Sequence, residues 1–311
     1  MGYKLAGYDV LGCCEIDASI IEVYKANHKP KYAFNCDIRD FLKQDIPPEL
    51  YDLDILDGSP PCSTFSMAGN REKDWGKEKV FAEGQKKQTL DDLFFYFIDI
   101  ANELKPKIVI SENVKGIILG NSKGYVKEII RRFDNAGYDT QLFLINGAAL
   151  GLPQRRERVF FVSRRKDLGL PKIKLSFKEK PISLGEATAD LTEAETLGKK
   201  LSDYMSAIWR NCPCGKSLSF VKGKGHLFNL YRLSSKRPMS TITTRAHLLF
   251  HWNYPNQLSD KVIIRCSSFP EDYNFGKARV NFICGMSVPP VIMANIANEV
   301  YKQLLCEVAN G

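Results

Sequence analysis

The chain contains no run of about 18 apolar residues, so nothing in it is expected to span a membrane. Its start, Met1-Gly2-Tyr3-Lys4-Leu5-Ala6-Gly7, lacks the apolar stretch and the small-residue cleavage site of a secretory signal. An even set of cysteines is missing as well. The nine present, Cys13, Cys14, Cys36, Cys62, Cys212, Cys214, Cys266, Cys284 and Cys306, are scattered through 311 residues. That argues against a secreted disulfide framework and for a reduced, cytoplasmic compartment. Metal-ligand spacing is nearly absent: only Cys212-Pro213-Cys214 approaches it, without a second pair or a spaced His pair, so no metal site is expected. There is no internal repeat and no low-complexity segment.

What is present suits an enzyme-sized globular protein. Hydrophobic residues make up 44% of the chain, enough for a sizeable core in one large domain plus a smaller one. The net charge of +8 is uneven. Residues 164–237 hold 16 Lys or Arg against 7 Asp or Glu, so this segment carries more than the whole excess. A basic block on a near-neutral body suggests a polyanionic partner, although a solvated basic surface gives the same count.

Residues 1–163 read as alternating strands and helices. Val10–Cys14, Asp54–Leu56 and Ile108–Ile110 are short apolar strands, and helices are expected over about 19–27, 93–104 and 125–133. Residues 141–145 and 158–162 read as a closing strand pair. This alternation predicts an α/β fold with a parallel sheet covered on both faces. The segment after Val162 loses the pattern, and a helix is expected from Val291 after Val288-Pro289-Pro290.

Polar groups just beyond strand ends are the candidates for chemistry. Cys62 follows the Asp54–Leu56 strand in Gly58-Ser59-Pro60-Pro61-Cys62-Ser63-Thr64-Phe65-Ser66, and Glu112 follows the Ile108–Ile110 strand. One strand–helix–strand unit would bring this thiol and carboxyl to one edge of the sheet. The pair suits nucleophilic catalysis on an electron-poor ring. A thiolate adds to C6 of cytosine while an acid with a raised pKa assists at N3, and C5 becomes nucleophilic. Arg156 and Arg158, in Gln154-Arg155-Arg156-Glu157-Arg158, would supply the positive charge that ionises the thiol. Taken singly, Cys62 also fits a buried structural thiol, Glu112 a helix cap, and the two arginines surface ion pairs.

Five segments together resemble the DNA cytosine-5 methyltransferases. Pro61-Cys62-Ser63-Thr64-Phe65-Ser66 matches that family's Pro-Cys-x-x-Phe-Ser loop, Glu112-Asn113-Val114 its Glu-Asn-Val motif, and Gln154–Arg158 its Gln-x-Arg-x-Arg motif. Arg237-Pro238-Met239-Ser240-Thr241-Ile242-Thr243 resembles the segment after the recognition domain, and Gly285-Met286-Ser287-Val288-Pro289-Pro290 the C-terminal Gly-Asn-x-Val-Pro-Pro motif, with Met286 in place of Asn. The resemblance implies a Rossmann-like sheet at 1–163, a smaller basic target recognition domain at 164–280, and a return to the catalytic domain at 281–311. It implies Cys62 as nucleophile, with Glu112, Arg156 and Arg158 as its catalytic partners. It implies S-adenosylmethionine as cofactor, held by Glu15, Asp37, Ile38, Pro61, Leu93, Ser287 and Val288.

Duplex DNA would be the substrate, with the basic loop Lys222-Gly223-Lys224-Gly225-His226 near its backbone or a plain solvent loop. A monomer, functionally paired with a restriction endonuclease, is the simplest arrangement. Relative to the family the chain starts after the Phe-x-Gly-x-Gly-Gly loop, and Met1–Gly7 resembles the helix that follows it. This predicts a cofactor pocket without its first wall. Two alternatives stay open: a DNA-binding remnant without activity, and an RNA cytosine methyltransferase.

Overall fold

The structure, a computed structural model, describes residues 1–61, 92–119, 123–223, 227, 229–245 and 248–306. Cys62 and Lys224-Gly225-His226 lie outside the described residues.

After a short helix α1 (Gly2–Leu5), the first strand β1 (Gly12–Cys14) pairs in parallel with β2 (Tyr32–Phe34), Cys14 opposite Phe34. Helix α2 (Ala18–His28) connects them. It starts where the Asp17 carboxylate accepts the N–H groups of Ser19 (2.8 Å) and Ile20 (3.3 Å), and it stops at Lys29, in the left-handed region at φ 45°.

The main sheet runs in the order β3 (Ile55–Gly58), β4 (Ile108–Val114), β7 (Glu157–Arg165), β5 (Tyr138–Asn146). Strand β3 is parallel to β4, with Gly58 opposite Ser111. Strand β7 lies antiparallel to both β4 and β5. The sheet is therefore mixed, and the expectation of a parallel sheet is corrected. The reason is chain length. Strands β5 and β7 are joined by a short connection through Gly147–Leu150 and the two-residue β6 (Gln154–Arg155), and only antiparallel neighbours can be joined without a long crossover. Among the described residues, the β1–β2 pair shares no ladder with this sheet.

Helices α3 (Leu93–Leu104) and α4 (Lys123–Asn135) cover one face. Phe94, Phe97, Ile98, Ala101, Ile129 and Phe133 pack there on Val109, Val159 and Phe161. Helix α3 ends at Lys105 (φ 49°), immediately before Pro106, which cannot continue it. The other face is covered from the C-terminus. Ile292, Ile296 and Val300 of α11 (Pro290–Val300) pack on Ile108, Ile110, Phe160 and Val162. Helix α1 lies so close to α11 that a Cβ on Gly2 would stand 2.5 Å from the Met293 Cβ.

By length and mean hydropathy Val280–Leu305 passes as apolar enough to cross a membrane, although Asn281, Ser287, Asn295, Asn298 and Glu299 interrupt it and it holds no unbroken run of 18 apolar residues. The stretch is broken at Ser287-Val288-Pro289 into α10 (Val280–Met286) and α11, and the apolar face of α11 belongs to the core.

The basic segment forms its own small sheet. It carries two one-turn helices with capping boxes, α5 (Leu184–Ala187) and α6 (Glu193–Thr196), then β8 (Leu197–Lys200), α7 (Asp203–Asn211), β9 (Lys216–Ser217), α8 (Ser219–Lys222) and β10 (Tyr231–Arg232). The strands β12 (Leu249–Phe250) and β13 (Asn256–Leu258) complete the order β8-β13-β12-β10-β9, and α9 (Asp260–Cys266) packs beneath it. Between these, β11 (Met239–Ser240) leaves the small sheet and pairs in parallel with β6.

Candidate active site

Glu112 lies inside β4, two residues past the strand expected from the apolar run, because the ladder with β7 continues to Val114. Burying a carboxylate there requires partners. Arg158 on β7 supplies one, its Nε 2.8 Å from Glu112 Oε1, and the Ser59 hydroxyl supplies another. Burial holds the Glu112 carboxyl above the usual carboxylate range, against the opposing pull of Arg158, Arg156 and Ser59. The neighbouring Asn113 donates its Nδ2 to the Pro60 carbonyl (3.2 Å) and ties the turn after β3 to β4. Gly58 permits this junction: a Cβ there would fall 2.3 Å from the Phe97 ring of α3. Pro61 is exposed at the edge of this cluster.

Arg156 behaves differently from Arg158. It lies between β6 and β7, is 1% exposed, and donates to three carbonyls: Ile242 (2.8 Å), Gly285 (2.9 Å) and Ser287 (2.8 Å). Burial, and the charge of Arg158, lower it to about 9. Gln154, also buried, donates to the Cys266 carbonyl (2.9 Å) and accepts the Ile242 N–H (2.9 Å). Gly285 leaves room for this knot, since a Cβ would meet the Thr243 and Thr244 backbone at 2.3 Å. Three motif segments distant in sequence thus meet at one arginine.

The residues expected around a cofactor are more dispersed. Glu15 follows β1; its N–H donates to the Phe34 carbonyl, and its Oε1 accepts the Asp17 N–H (2.9 Å). Burial raises its pKa. A second, partly sheltered carboxylate oxygen at a strand end fits a ribose diol. Asp37 is committed to Arg39, which reaches both its oxygens (2.9 and 2.7 Å) and holds its carboxyl below the usual range. Ile38 is half-buried between two apolar clusters, and Leu93 is buried at the start of α3. Ser287 donates to the Ile283 carbonyl (2.7 Å), and Val288 packs on the core under α11. Among the described residues no hydrogen bond or ion pair joins Glu15 or Asp37 to the Glu112 cluster.

Asp57 and Tyr3 were not singled out from the sequence. Tyr3 Oη donates to Asp57 Oδ1 (2.9 Å). Asp57 is open to solvent, yet dense surrounding protein, with Glu112 nearby, pushes its carboxyl up to about 6. The available signal was an acid in the apolar Ile55-Leu56 run, one residue short of the strand end.

A buried acid–arginine pair is laced to a proline turn, and a second arginine joins three motifs. The family profile described as C-5 cytosine-specific DNA methylase matches residues 1–302. The chain belongs to this family. It is 34% identical over 183 residues to type II methyltransferase M.FnuDI of Fusobacterium nucleatum, an alignment covering 59% of this chain and 47% of that protein. It is 25% identical over 324 residues to type II methyltransferase M1.HphI of Haemophilus parahaemolyticus, covering 97% of this chain and 83% of that one. The chain thus spans about half the length of the first of these relatives. The crystal structure of an E. coli DNA modification methyltransferase encoded within a prophage superposes with a TM-score of 0.72 at 18% identity, covering 97% of this chain and 94% of that one. That likeness establishes the α/β methyltransferase fold.

Proposed function

We propose that this chain transfers a methyl group from S-adenosylmethionine to C5 of cytosine in duplex DNA. The observation that carries the reading is the buried Glu112–Arg158 pair beside the Pro60–Pro61 turn, one residue before Cys62. On this reading the Cys62 thiolate bonds to C6 of a cytosine turned out of the stack, and C5 becomes an enamine carbon. Glu112, its carboxyl held above the usual carboxylate range by burial, would donate to N3, where the addition gathers charge. Arg158 orients that carboxyl and sets positive charge beside the developing anion. Arg156 holds the 285–287 segment against the site. When bound, the cofactor supplies an electrophilic methyl group on a sulfonium. Glu15, Asp37, Ile38, Pro61, Leu93, Ser287 and Val288 would hold it. Solvent water then takes the C5 proton, the N3 proton returns to Glu112, and cleavage of the sulfur–C6 bond releases the thiolate.

The same reading divides the chain into a catalytic part, 1–163 with 281–311, and a target recognition part, 164–280, some of whose Lys and Arg meet phosphates. A monomer paired with a restriction endonuclease remains its expected setting.

Incubation of the full chain with methyl-labelled cofactor and mixed-sequence duplex DNA, beside Cys62→Ala, tests it. Label entering DNA only when Cys62 is present supports the proposal. Binding of DNA without label at saturating cofactor refutes it and favours a second reading, a DNA-binding chain without transfer. One observation favours that alternative: β1 and β2 share no ladder with the main sheet among the described residues. Calorimetric titration with S-adenosylmethionine separates the two, since the second reading expects no heat of binding.

A further inference from the structure

We infer that Arg155 and Arg237 form a seat for one backbone phosphate of the DNA duplex, an inference that rests on the duplex-DNA reading above. Three consecutive residues set it up. Gln154 and Arg156 turn inward and fasten the chain to Cys266, Ile242, Gly285 and Ser287. Arg155, between them, stays exposed, with the Arg156 N–H donating to the Gln154 carbonyl (3.0 Å) in a tight turn about it. Its backbone is fixed twice, by the parallel pairing with Ser240 and by the Thr241 hydroxyl donating to its carbonyl (2.7 Å). Arg237 is exposed at the approach to β11, with its carbonyl accepting the Leu184 N–H (2.9 Å).

Arg155 and Arg237 both line one crevice with Ser234, Ser240, Gly215 and Tyr231, and no acidic residue lines it. Neither side chain has an ion-pair or hydrogen-bond partner among the described residues, where Arg39, Arg131, Arg132, Arg158, Arg164, Arg165 and Arg265 are paired with acids and Arg210, Arg245 and Arg279 are not. The remaining arginine of the crevice, Arg232, is committed to the protein. It donates to the carbonyls of Trp252, Trp209 and Cys212 and lies over the Trp209 ring at 3.9 Å. Two unpartnered cations lining one crevice favour an anion there. The planar guanidinium fork suits a phosphate oxygen pair, and fixed backbones lower the ordering cost of seating it. The crevice also lies where the basic small sheet meets the β6–β11 pair, which leads into β7 of the catalytic sheet, so a duplex held there bridges the two parts.

Fluorescence anisotropy of a labelled mixed-sequence duplex, titrated with the full chain between about 50 and 200 mM salt, tests the seat. Arg155→Gln, Arg237→Gln and the double variant are compared with Lys180→Ala, which removes an 89% exposed charge from the same basic segment. One lost phosphate contact lowers the slope of log K against log salt by about 0.9, which is about eightfold in affinity at roughly 0.1 M salt. The expected result is a loss of about that size, one contact and not two, in the double variant, with little change in Lys180→Ala. Unchanged slopes, losses that add to two contacts, or an equal loss in Lys180→Ala overturn the seat while leaving duplex binding intact. Absence of salt-dependent duplex binding in the unsubstituted chain overturns the substrate reading itself.

Discussion

Substituting Arg156 by Lys separates two roles that the sequence could not tell apart. Read as a pattern, Arg156 and Arg158 are equivalent cations facing a thiol. In the folded protein Arg156 is 1% exposed and spans three carbonyls on two segments, at Ile242, Gly285 and Ser287. Lysine keeps the charge but loses the planar fork, and an ammonium on a shorter stem cannot reach all three acceptors. If one bond survives, two charge-assisted bonds are lost, at about 1.5 kcal/mol each at the low end, so about 3 kcal/mol in all. Because the site is sealed from water, solvent screening does not reduce that figure. For a chain of this size the melting temperature should fall by about 5 °C or more. Urea denaturation followed by tryptophan fluorescence, and calorimetry, are the assays. Melting within about 1 °C of the unsubstituted protein refutes the argument, because it would mean that the three bonds contribute nothing net. Arg158→Lys, by contrast, should act chiefly through the acidity of Glu112.

Gly285→Ala drives a methyl into the Thr243–Thr244 backbone and should cost about 1–3 kcal/mol or more, with a non-additive cycle against Arg156→Lys because both act on one junction. Asp57→Asn tests a linkage. The folded-state pKa of about 6 lies above the unfolded value of 3.8, so the folded chain holds a proton that the unfolded chain releases between them, and stability falls as pH rises through that window. The variant should therefore gain on its parent in urea midpoint from about pH 4 to 6 and hold a constant advantage above. Equal midpoint differences at both ends would refute the shift. Tyr3→Phe removes a hydrogen bond that favours the Asp57 carboxylate, so an NMR titration of that carboxyl should move upward in pH. Glu112→Gln should lower methyl transfer by about 10²- to 10⁴-fold in single-turnover assays while leaving DNA affinity near that of the parent.

The local order of the chain determined much of what was found. The apolar runs at Ile55-Leu56 and Ile108–Ile110, the helix over Leu93–Leu104 and its stop before Pro106 follow from hydrophobic spacing and proline chemistry, which act within a few residues. The five motif segments were legible as residue types in order, and so was the side-by-side placement of β3 and β4. Strand direction was not, because the antiparallel insertion of β7 between β4 and β5 is decided by a short connection and by long-range ladders. Nor could spacing assign the two arginines. Residues two apart share a face only along one continuous strand, and the chain breaks its ladder at Arg156. Tertiary packing alone carried Ile242, Gly285 and Ser287 to its guanidinium, left Arg158 with Glu112, and turned Arg155 outward. The sequence determined which groups the protein possesses. The tertiary structure decided which charges neutralise one another and which remain free to meet a ligand, because pairing depends on distances between segments far apart along the chain.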